Sequence, residues 1–353
     1  MIPWLWLRSL PLLFAVVSTT TSSAGIMPAT TPVVVASFPL PMTEPPDNIV
    51  AASDAHVWVV ANKNQEFIRV DELTGEQSSY AYANGGASVF AAAAGPVGSL
   101  WYLDGLNNTT IWKIDSDGRY NSTAVFQRIH ALPGSLAGDE LGRVWFTLSE
   151  TQSIARIEAA GGLAAVAVPN EYRLPGILVR DSIGVLWFST EDGVAWRDRH
   201  GHFEGVKAPN PSYIASCLGG SAAYLSVASE SYAHADDYFV GWVTTAGTHR
   251  QVRRWPLPAP PKPKPLRIGS VSTCGVCGGP AKPTPPRKVL LGCTNSTAWV
   301  RVGGTIDRLQ SDGRVNAVRI DAIGSVPATA NLTSLRVWIY DAKAQRLIEL
   351  ALR

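Results

Sequence analysis

Four tryptophans set the frame of this chain. Trp58, Trp101, Trp145 and Trp187 are 43, 44 and 42 residues apart, each inside a short apolar stretch: "HVWVV", "SLWYL", "RVWFT" and "VLWFS". Weaker copies follow at Tyr224 ("AAYLS"), Trp299 ("TAWVR") and Trp338 ("RVWIY"). The gaps there are 37, 75 and 39, the middle one lengthened by an insertion. A period of this length is the mark of a repeat architecture, in which like units must stack to bury their faces.

Each copy has one internal grammar. A short apolar segment such as "DNIVAAS" or "PGILVRD" precedes the aromatic strand. A third strand follows, as in "EFIRVDE", "TIWKIDS" and "SIARIEA". Glycine turns at Gly75, Gly118, Gly161, Gly201, Gly247 and Gly313 lead to a fourth strand, "LAAVAVP" being one. The alternation has period two, as in strands buried on one face. Four antiparallel strands cannot bury both faces alone, so units of this length stack radially. The expectation is an all-β, seven-bladed β-propeller with four-stranded antiparallel blades. Composition agrees: 31 Gly, 25 Pro, 12 Trp, 10 Tyr and 9 Phe suit many short strands and turns. A net charge of +2 gives no bulk electrostatic case for nucleic-acid binding.

The ends of the chain predict how the ring closes. The last copy supplies "RVWIYDA" and "QRLIELAL" and lacks an outer strand, while "VVVASFPL" at 33–40 is spare. Docking it into the last blade completes that blade and covers an open edge. Upstream, Arg8 precedes the apolar run Leu10–Val17, and small residues Ser22 and Ala24 follow. Residues 1–24 read as a signal peptide, with a retained anchor as the alternative. Residues 25–32 read as a flexible lead-in and 33–353 as the propeller. The expected location is secreted or periplasmic, with no transmembrane domain after signal cleavage, and the expected state is a monomer. The sequons at 107–110, 121–123, 295–297 and 331–333 matter only where the source glycosylates them.

"LGRVWFT" at 141–147, "IGVLWFS" at 183–189, "FPLP" at 38–41 and "WPLP" at 255–258 together resemble the streptogramin B lyase (virginiamycin B lyase) family of propellers. The resemblance covers 33–353. It implies activity resting on histidines at the start of the innermost strands of the last two blades, assisted by glutamates and Mg²⁺. This chain departs from that pattern. Arg287 or Lys288 stands where the first histidine is expected, and 326–334 contains none. Asp341 stands where the family has a glutamate. A ring-opening elimination needs a base that takes a proton near neutral pH, which neither arginine nor threonine does.

Other candidates sit in loops of the face that propellers commonly use for ligands. The segment "ASESYAHADDYF", 228–239, carries Glu230, Tyr232, His234, Asp236 and Asp237. Among these, His234 and Glu230 are the candidate acid and base. Tyr232, Asp236 and Asp237 are candidate ligand contacts, as are Arg287 and Lys288. The carboxylates Asp104, Glu150 and Glu191 follow aromatic strands and border the same face. The Pro-rich insertion 259–286 reads as extended chain that either docks a partner or arches over the channel. No metal-ligand spacing is recognisable, and Mg²⁺ enters only with the lyase reading.

The four cysteines allow three pairings. Cys217 and Cys293 fall in matching innermost strands of adjacent copies, so one expected set is Cys217–Cys293 with Cys274–Cys277. The other two tie the insertion to the ring. The functional expectation is a module binding a small molecule, a glycan, a peptide or a protein at the ligand face without catalysis. The alternatives are a Mg²⁺-dependent lyase-like enzyme acting on a cyclic depsipeptide, and a structural cell-envelope component.

Overall fold

Each repeat folds as a meander whose strands alternate as the sequence does. The computed structural model describes residues 33–42, 44–52, 54–83, 88–105, 109–139, 141–208, 211–217, 220–227, 237–245, 254–256, 288–293, 297–302, 305–310, 315–319, 328–331 and 336–351. All of these lie in the unit Thr31–Arg353. The signal and lead-in read at 1–32, and the insertion at 259–286, lie outside the described residues.

After β1 (Val33–Pro39), the first repeat is β2 (Asn48–Ala51), β3 (His56–Ala61), β4 (Glu66–Asp71) and β5 (Gln77–Ala81). The second is β6 (Val89–Ala94), β7 (Leu100–Asp104), β8 (Thr110–Ile114) and β9 (Tyr120–Ala124), followed by a short helix α1 (Val125–Ile129). The third is β10 (Leu136–Gly138), β11 (Val144–Leu148), β12 (Ser153–Ile157) and β13 (Leu163–Ala167). The fourth is β14 (Leu178–Arg180), β15 (Leu186–Thr190), β16 (Gly193–Arg197) and β17 (Phe203–Lys207). Next come β18 (Pro211–Cys217), β19 (Ser221–Val227), β20 (Asp237–Thr244) and β21 (Arg254–Pro256). They are followed by β22 (Lys288–Cys293), β23 (Thr297–Val302), β24 (Thr305–Gln310) and β25 (Val315–Arg319). The chain closes with β26 (Ala328–Asn331), β27 (Arg336–Asp341) and β28 (Arg346–Ala351).

The expectation of seven separate blades is corrected by the strand pairing. The described strands form six sheets: five of four strands and one of eight, ordered β21-β20-β19-β18-β22-β23-β24-β25. The merger has a local cause. β18 and β22 pair in parallel at a single position, Cys217 opposite Cys293. The Cys217–Cys293 disulfide holds their Cα atoms 4.7 Å apart. That pairing was one of the three left open by the sequence. Elsewhere the innermost strands are neighbours in separate sheets. They run β2, β6, β10, β14, β18, β22, β26 and back to β2, so the cycle closes.

β1 closes it on the outside. It pairs antiparallel with β28 as the outermost strand of the last sheet, with Phe38 opposite Leu347. Tyr340 Oη donates to the Leu40 carbonyl at 3.1 Å, and Arg346 donates to that of Ser37 at 3.0 Å. Leu40 and Met42 are buried with Trp338, Tyr340 and Leu347 of the last sheet and Val57 and Val59 of the first.

The core lies between adjacent sheets, and the repeated aromatics fill it. Trp58 packs with Leu100 and Tyr102 of the next repeat. Trp145 packs with Leu186 and Phe188, and Trp187 with Ala222 and Tyr224. Burying side chains of this size stabilises by roughly 1.5–3 kcal/mol each, so packing alone accounts for the spacing of the tryptophans. Among the described residues no helix is long and apolar enough to cross a membrane.

Candidate functional site

Two kinds of loop share one face of the ring: those from second to third strand, and those carrying the chain from an outermost strand to the next repeat. A recurrent backbone bond ties them together. The Gln65 carbonyl accepts from Tyr82 N at 2.9 Å, that of Gln152 from Val168 N at 2.8 Å, and that of Gln345 from Leu40 N at 2.8 Å. In the second and fourth repeats Thr109 and Asp192 accept from Val125 and Ala208 in the same way. The three glutamines adopt the left-handed conformation, with φ of 56°, 53° and 51°.

Side chains extend the device. Gln152 Nε2 donates to the Tyr172 carbonyl at 2.9 Å, and its Oε1 accepts from Leu174 N at 2.9 Å. Gln345 Nε2 donates to the Met42 carbonyl at 3.1 Å. Asn62 Oδ1 accepts from Tyr82 Oη at 2.9 Å and from Val89 N at 2.6 Å, while Asn62 N donates to Asp47 Oδ2 at 2.8 Å. Burial pushes the Tyr82 hydroxyl above its ordinary pKa, with Asp47 adding to the effect, so it stays a neutral donor. None of these residues stood out in the sequence. The signal was present as "NQEF", "TQSI" and "AQRL", a glutamine just before the third strand.

The sequence-derived candidates fall into two groups. Asp104 ends β7 and is half-buried. Glu150 is exposed in a single 3-10 turn, Ser149–Thr151, after β11. Glu191 is exposed after β15 and pairs with Arg173 at 3.4 Å. All three therefore stand at the same end of successive second strands. Asp341 is buried, and its Oδ1 caps the β27–β28 turn by accepting from Lys343 N at 2.9 Å and Ala344 N at 3.0 Å. That structural duty is different from the one a family glutamate would have. Asp237 and Lys288 are the first residues of β20 and β22. Glu230, Tyr232, His234, Asp236, Arg287, Cys274 and Cys277 lie outside the described residues.

The lyase reading implies Mg²⁺. Among the described residues, no group of three or more His, Cys, Asp or Glu side chains is placed to hold a metal ion. Of the described carboxylates on this side, Glu191 pairs with Arg173 and Asp341 caps its turn. The described donors do not fit the ion.

The Virginiamycin B lyase family matches residues 15–211. A streptogramin B lyase structure superposes with a TM-score of 0.62 at 17% identity, covering 90% of this chain and 98% of that one. Virginiamycin B lyase from Staphylococcus aureus superposes with a TM-score of 0.63 at 17% identity, covering 90% and 99%. A catalytically inactive histidine-to-alanine form of that enzyme with quinupristin gives 0.61 at 18%, with the same coverage. No curated protein matches the chain by sequence. The family match spans more than half of the residues, and the chain belongs to the Virginiamycin B lyase family.

Proposed function

We propose that this chain is a lyase-like propeller that takes a cyclic depsipeptide or a related ring at the face built from the second-to-third and inter-repeat loops. The observation that carries the reading is the family match, joined to superposition over nearly the whole length of the streptogramin B lyases. The tying of that face by Gln65, Gln152 and Gln345 supports it, because a pre-formed rim loses less entropy when it closes on a ligand. In the ring opening, a base removes a proton from carbon, the C–O bond of the ester linkage breaks, and the oxygen departs as a carboxylate. His234, with Glu230, is the base proposed from the sequence. The protein is proposed to act outside the cytoplasm, as the residue 1–24 segment suggests.

A second reading rests on a specific departure. Arg287 or Lys288 replaces one family histidine, and 326–334 supplies no other. On that reading the face binds its ligand without turning it over. Incubation of the protein from Gly25 with streptogramin B, with and without Mg²⁺, followed by mass spectrometry, separates the two. A linear product that is lost in His234→Ala supports the lyase. Saturable binding with intact ligand supports the binding module, and neither binding nor product overturns both.

A further inference from the structure

The opposite face holds an arrangement of arginines that the lyase chemistry does not use. Trp145 packs between the third and fourth repeats, and three guanidiniums surround its ring. The Cζ of Arg156 lies 4.9 Å from the ring centroid, that of Arg197 5.6 Å and that of Arg143 5.8 Å. The register explains the convergence. Arg156 is directly opposite Trp145 across β11 and β12. Arg197 and Arg180 are both opposite Leu186, on the face of the fourth sheet that packs against Trp145. Four arginines therefore enter one seam.

The neutralisation of Arg197 is incomplete. Arg143 pairs with the buried Asp139 at 2.6 Å, and Arg156 pairs with Glu158. Asp198 is engaged by its own turn, accepting from His200 N and His202 N at 2.8 Å each. Arg197 hydrogen-bonds no carboxylate among the described residues, and its Nε is buried without a hydrogen-bond partner. A buried N–H of a charged group left unpaired is costly, and a matching anion removes that cost. Burial, and next the nearby Arg156, push the Arg197 guanidinium below its ordinary pKa, against the pull of Asp198. The guanidiniums lie directly against two turn glycines. A Cβ on Gly201 would meet the Arg197 guanidinium at 3.0 Å, and one on Gly184 would meet that of Arg180 at 3.3 Å.

We propose that the seam between the third and fourth repeats is a binding site for a phosphate-type oxyanion, held by Arg197 and Arg156 beside Trp145. The planar donors of arginine match tetrahedral oxyanions, and the Trp145 ring fixes their plane. The site is separate from the proposed lyase face and does not depend on that reading.

The test is thermal unfolding of the protein in increasing inorganic phosphate, with chloride adjusted to hold ionic strength constant. A ligand of the native state raises Tm in a saturable way. Phosphatidylglycerol vesicles form a second arm: co-sedimentation without a response to free phosphate assigns the anion to a lipid headgroup. Arg197→Gln is expected to fold at least as stably as wild type without phosphate, because it removes the repulsion from Arg156. It is expected to weaken the phosphate response at least tenfold, whereas Arg119→Gln, remote in the second repeat, leaves it intact. Should Arg197→Gln fail to fold, Arg156→Gln takes its place. A Tm that ignores phosphate, with no vesicle binding, overturns the proposal. So does an equal response in wild type and Arg197→Gln.

Discussion

The indole N–H of Trp187 donates to Asp181 Oδ2 at 3.0 Å, and Trp145 repeats the bond one blade earlier with Asp139 Oδ2 at 3.2 Å. The other carboxylate oxygen closes the turn before the aromatic strand. Asp181 Oδ1 accepts from Ile183 N and Val185 N, and Asp139 Oδ1 from Leu141 N and Arg143 N. One aspartate thus shapes the turn and satisfies a buried indole, which explains why "LGRVWF" and "IGVLWF" are nearly the same. Asp181→Ala strands the Trp187 N–H in the core. It is expected to lower stability by about 2–4 kcal/mol, read as a reduced midpoint in urea at unchanged slope. A loss below about 0.5 kcal/mol would show that the turn does not depend on the carboxylate.

Glu72 links the first and last repeats electrostatically. Burial raises its pKa above the ordinary glutamate value of 4.5, Glu349 adds to the rise, and Arg336 and His56 oppose it. With the folded pKa above the unfolded one, the folded state binds the extra proton. The stability this contributes is complete below about pH 4.5 and is lost as pH rises through the folded value. Glu72→Gln carries no charge at any pH. Its Tm is expected to exceed that of wild type at about pH 8 and to converge with it at about pH 4. A constant difference across that range would contradict the assignment.

The Cys217–Cys293 disulfide closes a separation of 76 residues that contains the insertion. Loop-entropy arithmetic for that length gives about 4.5 kcal/mol. The paired Cys217→Ala and Cys293→Ala variant is expected to unfold at markedly lower temperature. The reductant sensitivity of wild-type Tm should vanish in it. Retained sensitivity would point to other sulfurs.

Ring closure rests on a strand at the far end of the sequence. Deleting residues 33–40 removes β1 and the Leu40 contacts with Tyr340, so cooperative unfolding is expected to shift strongly downward. Deleting 25–32 is expected to leave Tm unchanged. Equal Tm for both deletions would contradict the role of β1.

The strands and their order were legible because period-two alternation and the tryptophan spacing are written in single residues. The docking of 33–40 followed from a missing outer strand. The sheet count was not legible. It turns on one parallel bridge at Cys217 and Cys293: the repeats place the two cysteines in matching strands, but no alternation pattern says that those strands pair as one sheet. Asp341 stands at the position of a family carboxylate, and sequence position does not distinguish a ligand from a turn cap. Gln65, Gln152 and Gln345 escaped notice because their role lies in backbone carbonyls and left-handed φ. Arg197 escaped because its neighbours come from another repeat.

The most direct test of the functional account is isothermal titration of streptogramin B into the protein from Gly25. The account predicts saturable binding at one site, with the same ligand raising Tm. Absence of binding heat, together with an unchanged Tm at ligand concentrations up to its solubility limit, would contradict it.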